Sequence, residues 1–179
     1  MQSSLEPKPQ QEAIRDYLLI KQMLIPPGWI EEKEERGPFD LRSRRMFHAP
    51  NAERVGVCSY ARGKPVNQSA ANSFKDVLSK PVHELTASEV SSIALILREA
   101  SLPGEFDLSS IKTELWNGKI VLVVEGRWVE AQWDTYWLIA DIQGTGEFIQ
   151  EIYYIAPAAD YSRFCDVALQ SLASLEWVR

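Results

Sequence analysis

The chain has 179 residues, a length that fits one domain able to bury a core without staples. Hydrophobic residues make up 45% and charged residues 25%, an ordinary globular balance. The formal net charge of -6 argues against nucleic acid, whose binders present a basic face to the phosphates.

Residues 1–11 are polar with two prolines and read as a flexible leader. Residues 12–179 then form a single α+β domain. "EAIRDYLLIKQMLI" (Glu12–Ile25) has helix-like spacing at Ile14 and Leu18 but could equally lead into a strand. Pro26 and Pro27 stop any helix near Ile25, and Gly28 marks a turn. "WIEEKEE", "DLRSRRMFH" and "RVGVCSYAR" follow as three strand-like runs, broken at Gly37–Pro38 and Pro50–Asn51. Short connections favour an antiparallel meander. The basic run Leu41–His48 reads as a solvated strand or loop face rather than a phosphate site.

"VNQSAANSFKDVLSKP" suits a short helix through Ala71, Phe74 and Leu78, ended by Pro81. "ELTASEVSSIALILREAS" is the clearest helix, opened by a Thr86/Glu89 capping box and striped by Val90, Ile93, Ala94 and Leu97. The second half is strand-rich. Asn117–Gly118 between "IKTELW" and "KIVLVVEG" predicts a tight hairpin, and "QGTG" predicts a second between "DTYWLIADI" and "EFIQEIYYIAP". Pro157 opens a last helix, with Tyr161, Phe164, Cys165, Ala168, Leu169 and Leu172 as its apolar stripe.

"WLIADI" and "VLVV" are apolar on both alternating faces, as in a central strand covered on two sides. The order of elements gives an α/β/α-type sandwich with a mostly antiparallel central sheet. No apolar run is long enough to span a membrane. No signal peptide opens the chain as given, which points to the cytoplasm. A removed signal would place the protein in an envelope or lumen.

Motifs for chemistry are sparse. Cys58 and Cys165 sit among apolar or small neighbours. A bridge between them is open, and no zinc pattern accompanies them. His48 and His83 have no partner motif, and Ser59, Ser171 and Ser174 lack a nucleophile elbow. Glu125, Glu130, Asp134, Asp141, Glu147 and Glu151 read as outer strand positions rather than an acid–base pair. No catalytic residue, metal site or cofactor is assigned, and the chain reads as a non-enzyme. The aromatic residues carry the remaining signal. "RWVEAQWDTYWLIADI" holds three of the six tryptophans. Trp116, Trp137, Tyr154 and Trp177 sit where a core needs bulk. Trp128 and Trp133 instead flank a turn or strand end, interleaved with Arg127, Glu130, Gln132 and Asp134. That mixture suits a partner-binding surface, and equally a strand end capped by amphipathic rings.

Several motifs resemble PsbP-like and DcrB-like domains. "LIPPGW" leading into a strand resembles their opening. "GKIVLVVEGRW", an antiparallel pair, "QEIYYIAPAADY", and a helix closing on "SLASLEW" are similar to their final strand, Ala-Pro break and finish. The resemblance implies an α/β/α sandwich and a non-enzymatic role: assembly factor, envelope accessory protein, chaperone or immunity-type protein. It transfers no functional residue. The expectation is therefore an accessory protein that binds another protein. The alternative is a small-ligand carrier or enzyme with a pocket between sheet and helices, built on groups such as Glu125, Arg127 and Tyr136.

Overall fold

The computed structural model describes residues 12–32, 44–62, 68–98 and 105–178. The expected leader, residues 1–11, lies outside the described residues, as does the start of the basic run. The first half carries β1 (Ala13–Tyr17), β2 (Ile20–Leu24), β3 (Ile30–Glu31), β4 (Arg44–Ala49), β5 (Ala52–Arg62), α1 (Gln68–Ser79), α2 (Ala87–Ser92) and α3 (Ala94–Arg98). The second half carries β6 (Phe106–Trp116), β7 (Lys119–Trp128), β8 (Trp133–Asp141), β9 (Ile149–Pro157), α4 (Ala158–Ala173) and β10 (Glu176–Trp177).

Among the described residues, seven strands form one antiparallel sheet in the order β3-β4-β5-β9-β8-β7-β6, and β1-β2-β10 form a small one. The expected meander is β3-β4-β5. The expected hairpins are β6-β7 and β8-β9. The segment α1–α3 carries the chain from β5, inside the sheet, to β6 at its edge.

The layers follow from strand alternation. On one face of the large sheet Val123, Leu138, Ile152 and Tyr154 pack with Ile14, Ile20 and Met23 of the small sheet and Ala168 and Leu172 of α4. On the other face Leu122, Val124, Trp137 and Ile139 pack against Phe74 and Val77 of α1 and the buried Ile93 and Ile96. β8 is thus apolar on both faces because both faces are covered. Each fully buried Leu or Ile contributes roughly 2 kcal/mol. The fold is an α+β sandwich, helices and small sheet enclosing a mostly antiparallel centre.

Local chemistry fixes the turns. Asn117 and Gly118 both have positive φ, +47° and +89°, as a two-residue hairpin turn demands, and Trp116 pairs with Lys119 across it. Asp141 closes the β8-β9 loop by accepting backbone N–H groups of Gln143, Gly144 and Gly146 at 2.8–3.2 Å. Gly146 has φ +76°, and a Cβ there would lie 2.1 Å from the Ala71 carbonyl oxygen, so only glycine lets this loop meet α1. In "LIPPGW" the turn returns Trp29 N–H to the Pro26 carbonyl and buries Trp29 edge-on against Phe164 of α4.

Three readings change. Glu12–Ile25 adopts its strand option, a β1-β2 hairpin with Asp16 and Leu18 at positive φ. The long helix from Thr86 divides at Ile93 into α2 and α3, although the capping box is present. β6 begins at Phe106, five residues before the run "IKTELW", because a bulge between Leu108 and Ser110 breaks its alternation. The two cysteines are free. Cys58 belongs to the apolar cluster with Met46 on one face of the sheet, and Cys165 packs from α4 on the other.

Candidate functional site

The six residues singled out at the strand end do not share one surface. β7 and β8 pair Arg127 with Asp134 and Trp128 with Trp133. Successive residues point to opposite faces. Arg127 and Asp134 therefore face the α4 side, and the two tryptophans face away from it. Glu130 and Gln132 lie exposed in the connecting turn. Gln132 has φ +53° and donates its side-chain N–H to the Val129 carbonyl at 2.6 Å. Its own carbonyl accepts the Ala158 N–H at 2.9 Å, tying the turn to the start of α4.

Trp128 is a core residue at 7% exposure, clustered with Met46, Cys58 and Ile155. Phe106 lies over it with ring centroids 4.7 Å apart. Gly126 makes this possible. A Cβ there would stand 2.5 Å from the Phe106 ring and 2.4 Å from the Asp107 carbonyl oxygen. The glycine inside "VLVVEGRW" was the available sequence signal for such a close approach. Trp133 is only partly buried. The Arg54 guanidinium sits 5.3 Å from its ring centre, and its buried indole N–H has no acceptor among the described residues.

On the α4 side Arg127 makes a two-pronged ion pair with Asp134: Nε donates to Oδ1 at 2.6 Å and a terminal N–H to Oδ2 at 3.0 Å. These bonds raise the Arg127 pKa, with nearby Asp107 adding to the effect. α4 packs chiefly on β2, β5, β8 and β9. Towards β6 and β7 a cleft of about 320 Å³ opens, lined by Asp107, Ser109, Glu125, Gly126, Arg127, Asp134, Thr135 and Tyr161. Two of the three groups expected of a pocket, Glu125 and Arg127, line it. The third, Tyr136, is the cross-strand neighbour of Glu125. Burial pushes the Tyr136 and Tyr161 phenols well above their ordinary value, and the Glu125 carboxylate pushes the same way.

The other sequence candidates resolve into structure. His83 bridges the Pro81 carbonyl and the Glu89 carboxylate, at 2.8 and 3.1 Å. His48 sits 3.2 Å from Glu32, near the opposite edge of the large sheet. Arg44 and Arg45 of the basic run meet Glu32 and Glu31. Ser59 accepts from Gln150 at 3.2 Å, and Ser171 donates to the Leu24 carbonyl at 2.5 Å. Among the described residues no group of three or more His, Cys, Asp or Glu side chains is placed to hold a metal ion.

No protein-family model matches the chain, and no curated protein sequence matches it. A solved structure does match: the solution structure of cyanobacterial PsbP (CyanoP) from Synechocystis sp. PCC 6803. The match covers 88% of this chain and 86% of that one, with a TM-score of 0.51 and 9% sequence identity. The fold is PsbP-like. At that identity the likeness lies in the arrangement of elements, so no side chain of the PsbP-like fold is assigned a role here by correspondence. No helix among the described residues is long and apolar enough to cross a membrane.

Proposed function

We propose that this chain is a non-enzymatic accessory protein, of chaperone, immunity or assembly-factor type, that binds another protein through the β7-β8 strand end. The observation that carries the reading is the construction of that end. A rigid base, Trp128 locked under Phe106, supports an exposed turn bearing Val129, Glu130 and Gln132, with Trp133 and Arg54 at its margin. Anchored aromatic groups beneath a polar rim lose little conformational freedom on binding, the property that concentrates affinity in few residues. The PsbP-like fold supports the reading, since the accessory roles that the resemblance implies all work through protein contact.

Affinity capture from the native host tests it. The wild-type chain should retain a specific protein that a Glu130→Ala/Trp133→Ala variant with unchanged circular dichroism releases. Equal retention by both would remove the strand end from the role, and no specific retention by wild type would remove the role itself.

A further inference from the structure

We propose that the cleft between α4 and strands β6–β8 binds an organic cation, a primary ammonium group on a small amine or a lysine side chain, with Glu125 as its counter-ion. The inference stands apart from the protein-binding reading. It concerns the face of β7 opposite Trp128.

The first argument is charge accounting. The cleft holds three carboxylates, Asp107, Glu125 and Asp134, and one cation, Arg127. Asp134 takes both prongs of Arg127. Asp107 lies across β6 from Arg127 as its cross-strand neighbour, exposed to water. Glu125 differs. It is partly buried between the Tyr136 and Tyr161 phenols and the Cys165 thiol, and it makes no hydrogen bond or ion pair among the described residues. A carboxylate partly removed from water without a cationic partner is an unfavourable arrangement that a bound ammonium group relieves.

The second argument is shape. A volume of about 320 Å³ accommodates an ammonium head and a short alkyl chain, at the lower end of small-ligand pockets. Tyr161 forms one wall, and an aromatic ring presents its negative face to a cation. The bulge in β6 adds Ser109 to the lining, a hydroxyl that completes an ammonium group's three donors together with the carboxylates. An anionic ligand fits poorly, because the one guanidinium is already engaged and Glu125 would repel it. The acidic side chains are not placed to ligate a bare metal ion.

The test is titration of the ¹⁵N-labelled chain with two probes, cadaverine and N-acetyl-lysine methylamide, with N-acetyl-norleucine methylamide as the neutral control. Saturable shifts centred on the Gly126, Arg127 and Thr135 amides are expected with an ammonium probe and absent with the control. Response to cadaverine alone assigns the site to free amines, and response to the blocked lysine alone assigns it to a protein-borne side chain. Glu125→Gln should weaken binding about tenfold, the loss of one charge-assisted contact. Asp107→Asn, at an exposed position that folding does not need, should weaken it about two- to threefold. Glu53→Gln, on the exposed surface of β5, should leave it unchanged. Absence of saturable shifts, equal response to the neutral control, or undiminished affinity in folded Glu125→Gln would each overturn the proposal. If Glu125→Gln fails to fold, undiminished affinity in Asp107→Asn overturns it.

Discussion

Trp128→Ala separates a buried prop from a contact residue. The indole is 7% exposed, packs on Phe106 at 4.7 Å, and shares a cluster with Met46, Cys58 and Ile155. Truncating a buried tryptophan costs about 3–5 kcal/mol through lost transfer energy and the cavity left behind. The lost ring pair adds about 0.5–1.5 kcal/mol, so the upper half of that range applies. In a domain of this size each kcal/mol lowers the melting temperature by about 2–4 °C, giving a drop of roughly 10–18 °C. Trp133→Ala, at a partly buried ring with no hydrogen bond to lose, should cost about 1–2 kcal/mol. Urea unfolding followed by far-ultraviolet circular dichroism reads both on one scale. A loss below about 1 kcal/mol for Trp128→Ala, with Trp133→Ala the more damaging, would show that Trp128 is not the support described.

Gly126→Ala should destabilise by about 1–3 kcal/mol in the same assay, because its methyl meets backbone at Asp107 as well as the Phe106 ring. A change within about 0.5 kcal/mol would show that β6 yields freely at its bulge. Glu89 is held well below the ordinary carboxylate range, first by Lys80 and then by the Thr86 backbone and hydroxyl. A depressed carboxylate contributes stability that is present above its unfolded value of about 4.3 and lost as pH falls below it. Helix α2 should therefore loosen in acid, read as faster amide exchange at Val90 and Ile93, and Glu89→Gln should abolish that pH dependence. Thr86→Ala removes the cap and should cost about 1 kcal/mol at neutral pH. Burial pushes the Cys58 thiol up to about 11, so in the native protein it should resist a thiol reagent at pH 8 and react only after unfolding. Rapid native labelling of Cys58 would contradict its position.

Signals confined to a few neighbouring residues were readable in the sequence. Asn117–Gly118 needs only its own positive φ values, and Thr86 with Glu89 needs only the first turn of α2. The double-faced apolar run around Trp137 and Leu138 also announced a central strand. The PsbP-like motifs at "LIPPGW" and the closing helix pointed to the right fold. The failures involve partners distant in sequence. Glu12–Ile25 offers both periods, and its pairing with β10 at the far end of the chain accompanies the strand outcome. Trp128 looks like a strand-end residue until Phe106, from a strand hidden by its bulge, is laid across it. The cleft was anticipated through Glu125 and Arg127, but Asp107, Ser109 and Tyr161 come from elements whose proximity no local pattern states.

The large sheet has one seam that chain neighbours do not make. β5 joins β9 along seven paired positions from Gly56↔Ile155 to Arg62↔Ile149. Those partners are nearly a hundred residues apart, whereas β6 to β9 zip through short turns. Loop-closure entropy delays such a junction relative to the local meander. During synthesis the β3-β4-β5 ribbon emerges first and must wait, its β5 edge unpaired, until β9 follows. An open edge with apolar Val55, Val57 and Cys58 is a template for pairing with another chain. The interval between these two strands leaving the ribosome is thus the vulnerable period in the life of this protein, and slowing translation between them should increase its aggregation more than slowing it elsewhere.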